Sequence, residues 1–128
     1  MPGELKRATR VAERVKEELA VLVSQELRDP RVDGVIVSGV RVSDDLRSVR
    51  VRFRLLEGGD DVGRRKAAKD GLTRASGLLR RELTARAQLR FAPELSFFYD
   101  EGQEARDRVD ELLEEVKREE KSREKPGS

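Results

Sequence analysis

Apolar residues and arginines alternate along the segment SVRVRFRLLEG, which runs from Ser48 to Gly58. Alternation with a period of two is typical of a β-strand that buries one face and exposes the other. The pattern therefore predicts a strand from Val49 to Leu56. Its buried face carries Val49, Val51, Phe53 and Leu55. Its solvent face carries Arg50, Arg52 and Arg54.

Spacings of three and four between apolar residues predict a first helix from Thr9 to Leu27. Thr9 suits the N-cap position, and Pro30 ends the pattern because it disfavours helical geometry at the residue before it. The β-branched segment from Val35 to Val42 then predicts a strand. We expect this strand to pair with the alternating strand as a hairpin.

A second helical pattern covers Arg64 to Leu89 and is interrupted by Gly77. A glycine inside a helix costs about 1 kcal/mol relative to alanine, so we predict a bend at Ser76-Gly77 and a second helix that restarts at about Leu78. The segment from Glu94 to Tyr99, just after Pro93, predicts a third strand. A last amphipathic stripe predicts a terminal helix; it comprises Val109, Leu112, Leu113 and Val116.

The predicted fold class is α+β, with the order helix, strand, strand, helix, kink, helix, strand. The helices must cover one face of the three-stranded sheet, because the apolar side of the alternating strand needs a partner. We predict one domain over residues 7–100. A flexible N-terminus (residues 1–6) precedes it, and a C-terminal helical extension (101–118) and a disordered tail (119–128) follow it.

Cysteine and histidine are both absent from the chain. Thiolate nucleophiles, imidazole bases, disulfides and nearly all zinc sites are therefore excluded. The adjacent carboxylates Asp44-Asp45 and Asp60-Asp61 have no histidine or lysine placed as a partner, and aspartate is common in turns. We expect no enzyme, no bound metal and no cofactor.

Charged residues make up 42% of the chain, and no apolar run approaches the roughly 20 residues that span a bilayer. The first ten residues have no apolar core of the kind found in signal peptides. These features predict a cytoplasmic protein without a membrane partner.

Charge is unevenly distributed along the sequence. Residues 101–128 hold ten acidic and seven basic side chains, whereas residues 1–100 hold 16 acidic and 21 basic ones. A basic body with a mildly acidic tail is compatible with a polyanionic partner. It is equally compatible with an ordinary solvated surface of mixed charge.

Several motifs occur in an order that resembles a known family. They are LRDPRV (Leu27 to Val32), VRVSDDL (Val40 to Leu46), ASG (Ala75 to Gly77) and LRFAPELSFFYD (Leu89 to Asp100). Their order and spacing resemble the bacterial ribosome-binding factor A family, whose fold is a type II KH-like domain. In that family an alanine-x-glycine kink replaces the G-x-x-G loop of other KH domains, and this chain contains no G-x-x-G.

The resemblance implies a ribosome assembly factor and not an enzyme. Such a protein binds the small (30S) ribosomal subunit and its rRNA, assists late maturation and rRNA processing, and leaves before translation begins. Ribosomal proteins are further partners to consider, and the free chain is expected to be a monomer. The alternative is a protein-protein interaction module with the same α+β fold.

The predicted RNA-binding residues form two groups. The first group surrounds the kink, where the N-terminus of a helix suits phosphate. It comprises Arg74, Ala75, Ser76, Gly77, Arg80, Arg81, Arg86 and Arg90. The second group consists of arginines elsewhere on the body: Arg10, Arg41, Arg50 and Arg52.

Each group also has a purely structural interpretation. A glycine at a helix junction is often a C-cap, and an exposed strand face attracts charge whether or not it binds RNA. Aromatic residues are scarce, with four Phe, one Tyr and no Trp. We expect Phe53 and Phe97 in the core and either Phe98 or Tyr99 exposed, so recognition should concern RNA shape and backbone more than sequence.

Overall fold

The computed structural model describes residues 2–123, with side chains described for residues 7–102 and 112–121. Helix α1 (Pro2–Gln25) is followed by a 3-10 turn (Pro30–Val32) and strands β1 (Val35–Val42) and β2 (Ser48–Leu55). Helices α2 (Val62–Arg74) and α3 (Ser76–Arg86), strand β3 (Glu94–Tyr99) and helix α4 (Glu101–Arg123) complete the chain.

The sheet has the order β1-β2-β3, with β2 in the centre. Strands β1 and β2 form the predicted antiparallel hairpin, whereas β2 and β3 are parallel. A parallel pair needs a crossover connection, and helices α2 and α3 supply it. The bounds predicted for β1 and β3 are confirmed, and β2 lies one residue earlier than predicted.

The core lies between the helices and one face of the sheet. Val49, Val51 and Phe53 of β2 are each 1% exposed. They meet apolar side chains from the first three helices: Val15, Leu19, Leu22, Ala68, Leu72, Leu79 and Leu83. Phe97 of β3 is buried with them, and the ring of Phe53 meets that of Tyr99 edge to face at 5.5 Å between centroids. The predicted core positions of Phe53 and Phe97 are therefore confirmed.

Two predicted helix starts are wrong. Helix α1 begins at Pro2, so Thr9 lies inside the helix and is not its N-cap. A proline is well tolerated in a first turn, where its missing N–H would lack an intrahelical partner in any case. Helix α2 begins at Val62 because the Asp61 carboxylate accepts hydrogen bonds from the Gly63 and Arg64 amides.

The C-terminal extension also differs in length from the prediction. Helix α4 continues to Arg123, past the predicted end at residue 118. Leu112, Leu113 and Val116 on this helix are exposed, while the side chain of Val109 and all of residues 124–128 lie outside the described part of the chain. Within residues 2–123, no helix has the length and apolarity required to cross a bilayer.

Gly71 allows the 3-10 turn to pack closely against α2. A Cβ added at Gly71 would lie 2.8 Å from Cγ1 of Val32 and 3.2 Å from Cβ of Arg31. Val32 is itself buried at 4% exposure, so its branched side chain has little room to move. Gly77, in contrast, has no neighbouring atom within 4 Å of an added Cβ in the described structure.

These two glycines give opposite expectations for substitution by alanine. Gly71→Ala should lower the free energy of unfolding by about 1–3 kcal/mol, because overpacking outweighs the better helix propensity of alanine. Gly77→Ala should raise it by as much as about 1 kcal/mol, because the helix gains propensity in open space. Urea unfolding of both variants measures the difference. Equal effects of the two substitutions would contradict the packing of the turn against α2.

Candidate nucleic-acid interface

The kink between α2 and α3 is a break at one residue, Ala75. It has φ −83° and ψ 0°, which ends α2, and its carbonyl accepts the first backbone hydrogen bond of α3, from Leu79. The predicted bend at Ser76-Gly77 with a restart at about Leu78 is therefore wrong, because Ser76 and Gly77 are already helical. No described side chain caps the start of α3.

The predicted residues around this break differ in exposure. Arg74, Gly77 and Arg81 are exposed, whereas Ala75 and Ser76 are half-buried. Since the first amides of a helix lack intrahelical acceptors, the start of α3 is suited to an anion. Arg74 and Arg81 are the exposed cations that flank this start along the chain.

Arg80 points away from this surface. Its Nε donates to the carbonyl of Pro93 at 2.8 Å, and its Nη2 donates to the carbonyl of Ala92 at 3.2 Å. Glu94 lies 3.5 Å away as a carboxylate partner. These contacts tie α3 to the entrance of β3, so the contacts of Arg80 are structural.

Arg86 also makes contacts within the protein. Its guanidinium lies 3.7 to 3.9 Å from three carboxylates. Glu18 is in α1, Glu26 directly follows α1, and Glu82 is in α3. The backbone carbonyl of Arg86 accepts a hydrogen bond from Arg14 at 3.1 Å. Arg86 thus ties α3 to α1, and three carboxylates lie around its guanidinium.

The open face of the sheet brings together three predicted arginines that are far apart in the sequence. Arg41 of β1 lies directly opposite Arg50 of β2, and Arg52 lies beside Phe98 of β3. All four side chains are exposed, and we call this surface the arginine face. Phe98, at 38% exposure, is the exposed member of the Phe98-Tyr99 pair.

Arg90 and Arg10 lie elsewhere. The guanidiniums of Arg90 and Arg47 sit 5.6 Å and 5.1 Å from the ring centroid of Phe91, which is 52% exposed. Arg10 is exposed on α1. The structure therefore does not gather the predicted residues into one site but distributes them over separate basic surfaces.

Sequence reasoning missed an ion pair next to α2. The Arg31 guanidinium donates to the Asp29 carboxylate at 2.6 Å, and the Arg31 amide donates to it at 2.9 Å. Oδ2 of Asp29 would lie 3.4 Å from a Cβ at Gly71. The spacing of Asp29 and Arg31 in the sequence is compatible with a local ion pair. Its position against α2, however, depends on the tertiary packing.

The paired aspartates have structural partners. Asp45 accepts from the Ser43 hydroxyl at 2.6 Å and from the Arg47 amide at 3.1 Å, and these bonds lower its pKa. Asp61 caps α2, as described above. Among the described residues, no group of three or more acidic, histidine or cysteine side chains could hold a metal ion.

The element order, the mixed sheet and the single-residue break between α2 and α3 define a class of protein. This arrangement is an α+β domain of the type II KH-like kind. Its helices cover one face of the sheet, and several of its surfaces are basic.

Comparison with known proteins identifies the family. The ribosome-binding factor A family model matches residues 7–113. The chain is 50% identical to ribosome-binding factor A of Sorangium cellulosum over 91% of this chain and 94% of that one. It is 41% identical to ribosome-binding factor A of Syntrophobacter fumaroxidans over 88% of this chain and 96% of that one. The chain belongs to the ribosome-binding factor A family.

Solved structures of relatives have the same fold. The crystal structure of ribosome-binding factor A from Thermus thermophilus superposes with a TM-score of 0.63 at 27% identity, covering 72% of this chain and 93% of that one. A Thermus thermophilus RbfA homology model, fitted into the cryo-EM map of a 30S-RbfA complex, superposes with a TM-score of 0.55. It is 30% identical and covers 68% of this chain and 88% of that one.

The ion pair beside α2 predicts a specific pH dependence. Hydrogen bonds from Arg31 lower the pKa of Asp29 from 3.8 to about 2. Because the pKa of Asp29 is lower in the folded protein than in the unfolded chain, its ionised form stabilises the fold at a pH above the unfolded-state pKa. This contribution is lost as the pH falls from about 4 towards 2. Asparagine cannot ionise, so in Asp29→Asn the urea concentration at half unfolding should fall less steeply between about pH 4 and about pH 2 than in the natural protein.

Arg31→Gln provides the second arm of this experiment, since it removes the largest cause of the lowered pKa. It should flatten the decline over the same range. If both variants lost stability with falling pH as steeply as the natural protein, the ion pair would not be important in solution.

Proposed function

We propose that this protein binds the small ribosomal subunit through its rRNA and assists late maturation of the subunit and processing of that RNA. The observation that supports this most directly is the fitted position of the Thermus thermophilus relative in a 30S-RbfA complex. The basic surfaces described above give the chemistry that such a partner requires, because phosphate contacts supply most of the affinity for RNA.

We assign RNA binding to residues 7–100 and, within them, to the start of α3 as one contact. Arg74, Arg81 and the exposed backbone at Gly77 support this assignment. A phosphate could approach Gly77 closely because the space that a Cβ would occupy there is open. Arg80 and Arg86 contribute indirectly, by holding α3 in place.

The protein acts by binding and not by catalysis, in the cytoplasm where ribosomes assemble, and as a monomer when free. Membership of a ribosome-binding family supports this proposal. The roles of the carboxylates support it as well, since Asp45 organises a turn and Asp61 caps a helix.

A protein-protein interaction module is the second candidate function. One observation favours it: the apolar side chains of α4 are exposed, with Leu112 at 60%, Leu113 at 52% and Val116 at 48%. Such a stripe is typical of a helix that meets another protein. Salt dependence separates the two functions, because RNA binding through several phosphates weakens steeply with added salt.

Charge reversal near the kink tests the proposed function. Arg74→Glu and Arg81→Glu together should lower the affinity for isolated 30S subunits about tenfold or more, because each removes a charge-assisted contact to phosphate. Co-sedimentation at about 50 and 200 mM salt measures both the affinity and its salt dependence. Arg81→Glu alone should change the thermal midpoint little, because the side chain is exposed. Arg74 attracts the Asp29 carboxylate, so any loss of stability in the double variant should come from Arg74→Glu.

The double variant Lys117→Glu, Arg118→Glu on α4 is the matched control, since it makes the same charge change on two exposed residues outside the assigned domain. Unchanged 30S binding by the Arg74→Glu, Arg81→Glu variant would remove the start of α3 from the interface. Salt-independent binding of the natural protein would favour the protein-protein function.

A further inference from the structure

We infer that the arginine face is a second nucleic-acid site, which binds an unpaired RNA segment by stacking a base on Phe98 and holding flanking phosphates with Arg41, Arg50 and Arg52. The inference deepens the proposed function and rests on it to the extent that the RNA is ribosomal. It concerns the face of the sheet opposite helices α1, α2 and α3, on strands that are not part of the α2-α3 kink.

The arginine face carries unbalanced positive charge. Arg41 and Arg50 are directly opposed on neighbouring strands, and like charges in such pairs are destabilising. In the described part of the chain, no carboxylate lies within 4.0 Å of the guanidinium of Arg41, Arg50 or Arg52. An anion between them would relieve a repulsion that the folded protein otherwise retains.

The nearest acidic groups are occupied by other partners. Asp100 and Glu101 line the same groove, but Asp100 accepts a hydrogen bond from the Ser38 hydroxyl at 2.7 Å. Glu101 lies 3.0 Å from the guanidinium of Arg65. Both carboxylates keep their charge at one end of the groove, but neither lies within 4.0 Å of the guanidinium of Arg41, Arg50 or Arg52, so the three arginines are only partly balanced.

The arginine face also carries an exposed aromatic ring, Phe98, with two cations close to it. The guanidinium of Arg50 lies 4.7 Å from the ring centroid of Phe98, and the ammonium of Lys69 lies 5.7 Å from it. Arg52 is the cross-strand neighbour of Phe98. Aromatic rings flanked by arginines are the usual stacking surfaces for bases in single-stranded nucleic acid.

Arg52 extends the arginine face across β1. Its guanidinium occupies the space above Gly39 of β1, where any other residue would place its Cβ. Gly39 is buried as a result, although it faces the open side of the sheet. A glycine at this position lets the guanidinium of Arg52 lie over β1, so that Arg52 extends the positive surface on the side of β2 away from Phe98.

The groove formed by these side chains has a volume of about 440 Å³. This volume lies within the range of about 300–1,000 Å³ typical of small-ligand sites. An RNA strand matches both features of this face, because its phosphates pair with the arginines and its bases stack on Phe98. An acidic protein segment would pair with the arginines but would not stack on the ring. Duplex RNA fits less well, since its bases are stacked and paired.

The test measures binding of a fluorescein-labelled oligoadenylate of about eight nucleotides by fluorescence anisotropy. Phe98→Leu should weaken binding about tenfold, because it keeps apolar volume but removes the stacking ring. Phe98→Tyr should restore binding to within about twofold. Arg50→Gln should reduce the slope of log affinity against log salt by about 0.7, the value expected for one lost phosphate contact to a single strand.

Several controls make the outcomes decisive. Arg118→Gln, on α4, makes the same charge change as Arg50→Gln and should leave the affinity unchanged. Thermal midpoints of the Phe98 and Arg118 variants should agree with that of the natural protein, since these side chains are exposed, and Arg50→Gln should not lower it, since it removes the repulsion with Arg41. A duplex of the same length should bind more weakly than the single strand. Equal or tighter binding of the duplex would overturn the assignment to unpaired RNA.

The failure of this inference is distinguishable from the failure of the proposed function. If Phe98→Leu binds the oligonucleotide like the natural protein, the stacking site is refuted while 30S binding can persist. If Phe98→Leu weakens binding to 30S subunits but not to free RNA, the face contacts a ribosomal protein, which also overturns the inference. The Arg74→Glu, Arg81→Glu double variant should retain oligonucleotide binding.

Discussion

The structure depends on the burial of one face of the central strand. Val49, Val51 and Phe53 of β2 are each 1% exposed, beneath helices α1, α2 and α3. Because strand side chains alternate, this burial fixes the direction of every second residue of β2. The arginines of β2 must then lie on the face that the helices leave uncovered.

Arginines serve two physical purposes in this protein. Arg80 and Arg86 bind carbonyls and carboxylates of the chain itself and hold α3 against β3 and α1. Arg41, Arg50 and Arg52 instead stand close together on the open face, despite their mutual repulsion. The same residue type therefore supplies internal ties in one place and unbalanced positive potential in another.

The amino-acid sequence by itself determined the order of the elements, the bounds of β1 and β3, the two faces of β2 and the presence of a break between α2 and α3. These features are predictable because periods of 2 and 3.6, turn residues and glycine propensity act over a few neighbouring residues. The family motifs, from Leu27 to Asp100, were equally readable in the linear chain.

Only the tertiary structure decided which basic residues share a surface. Arg80 and Arg86 belong to the predicted group around the kink, yet their guanidiniums meet carbonyls and carboxylates within the protein. Lys69 of α2 reaches Phe98 of β3 because the crossover helices lie beside that edge of the sheet. Such distances depend on how elements far apart in the chain pack together, and local residue patterns do not specify them.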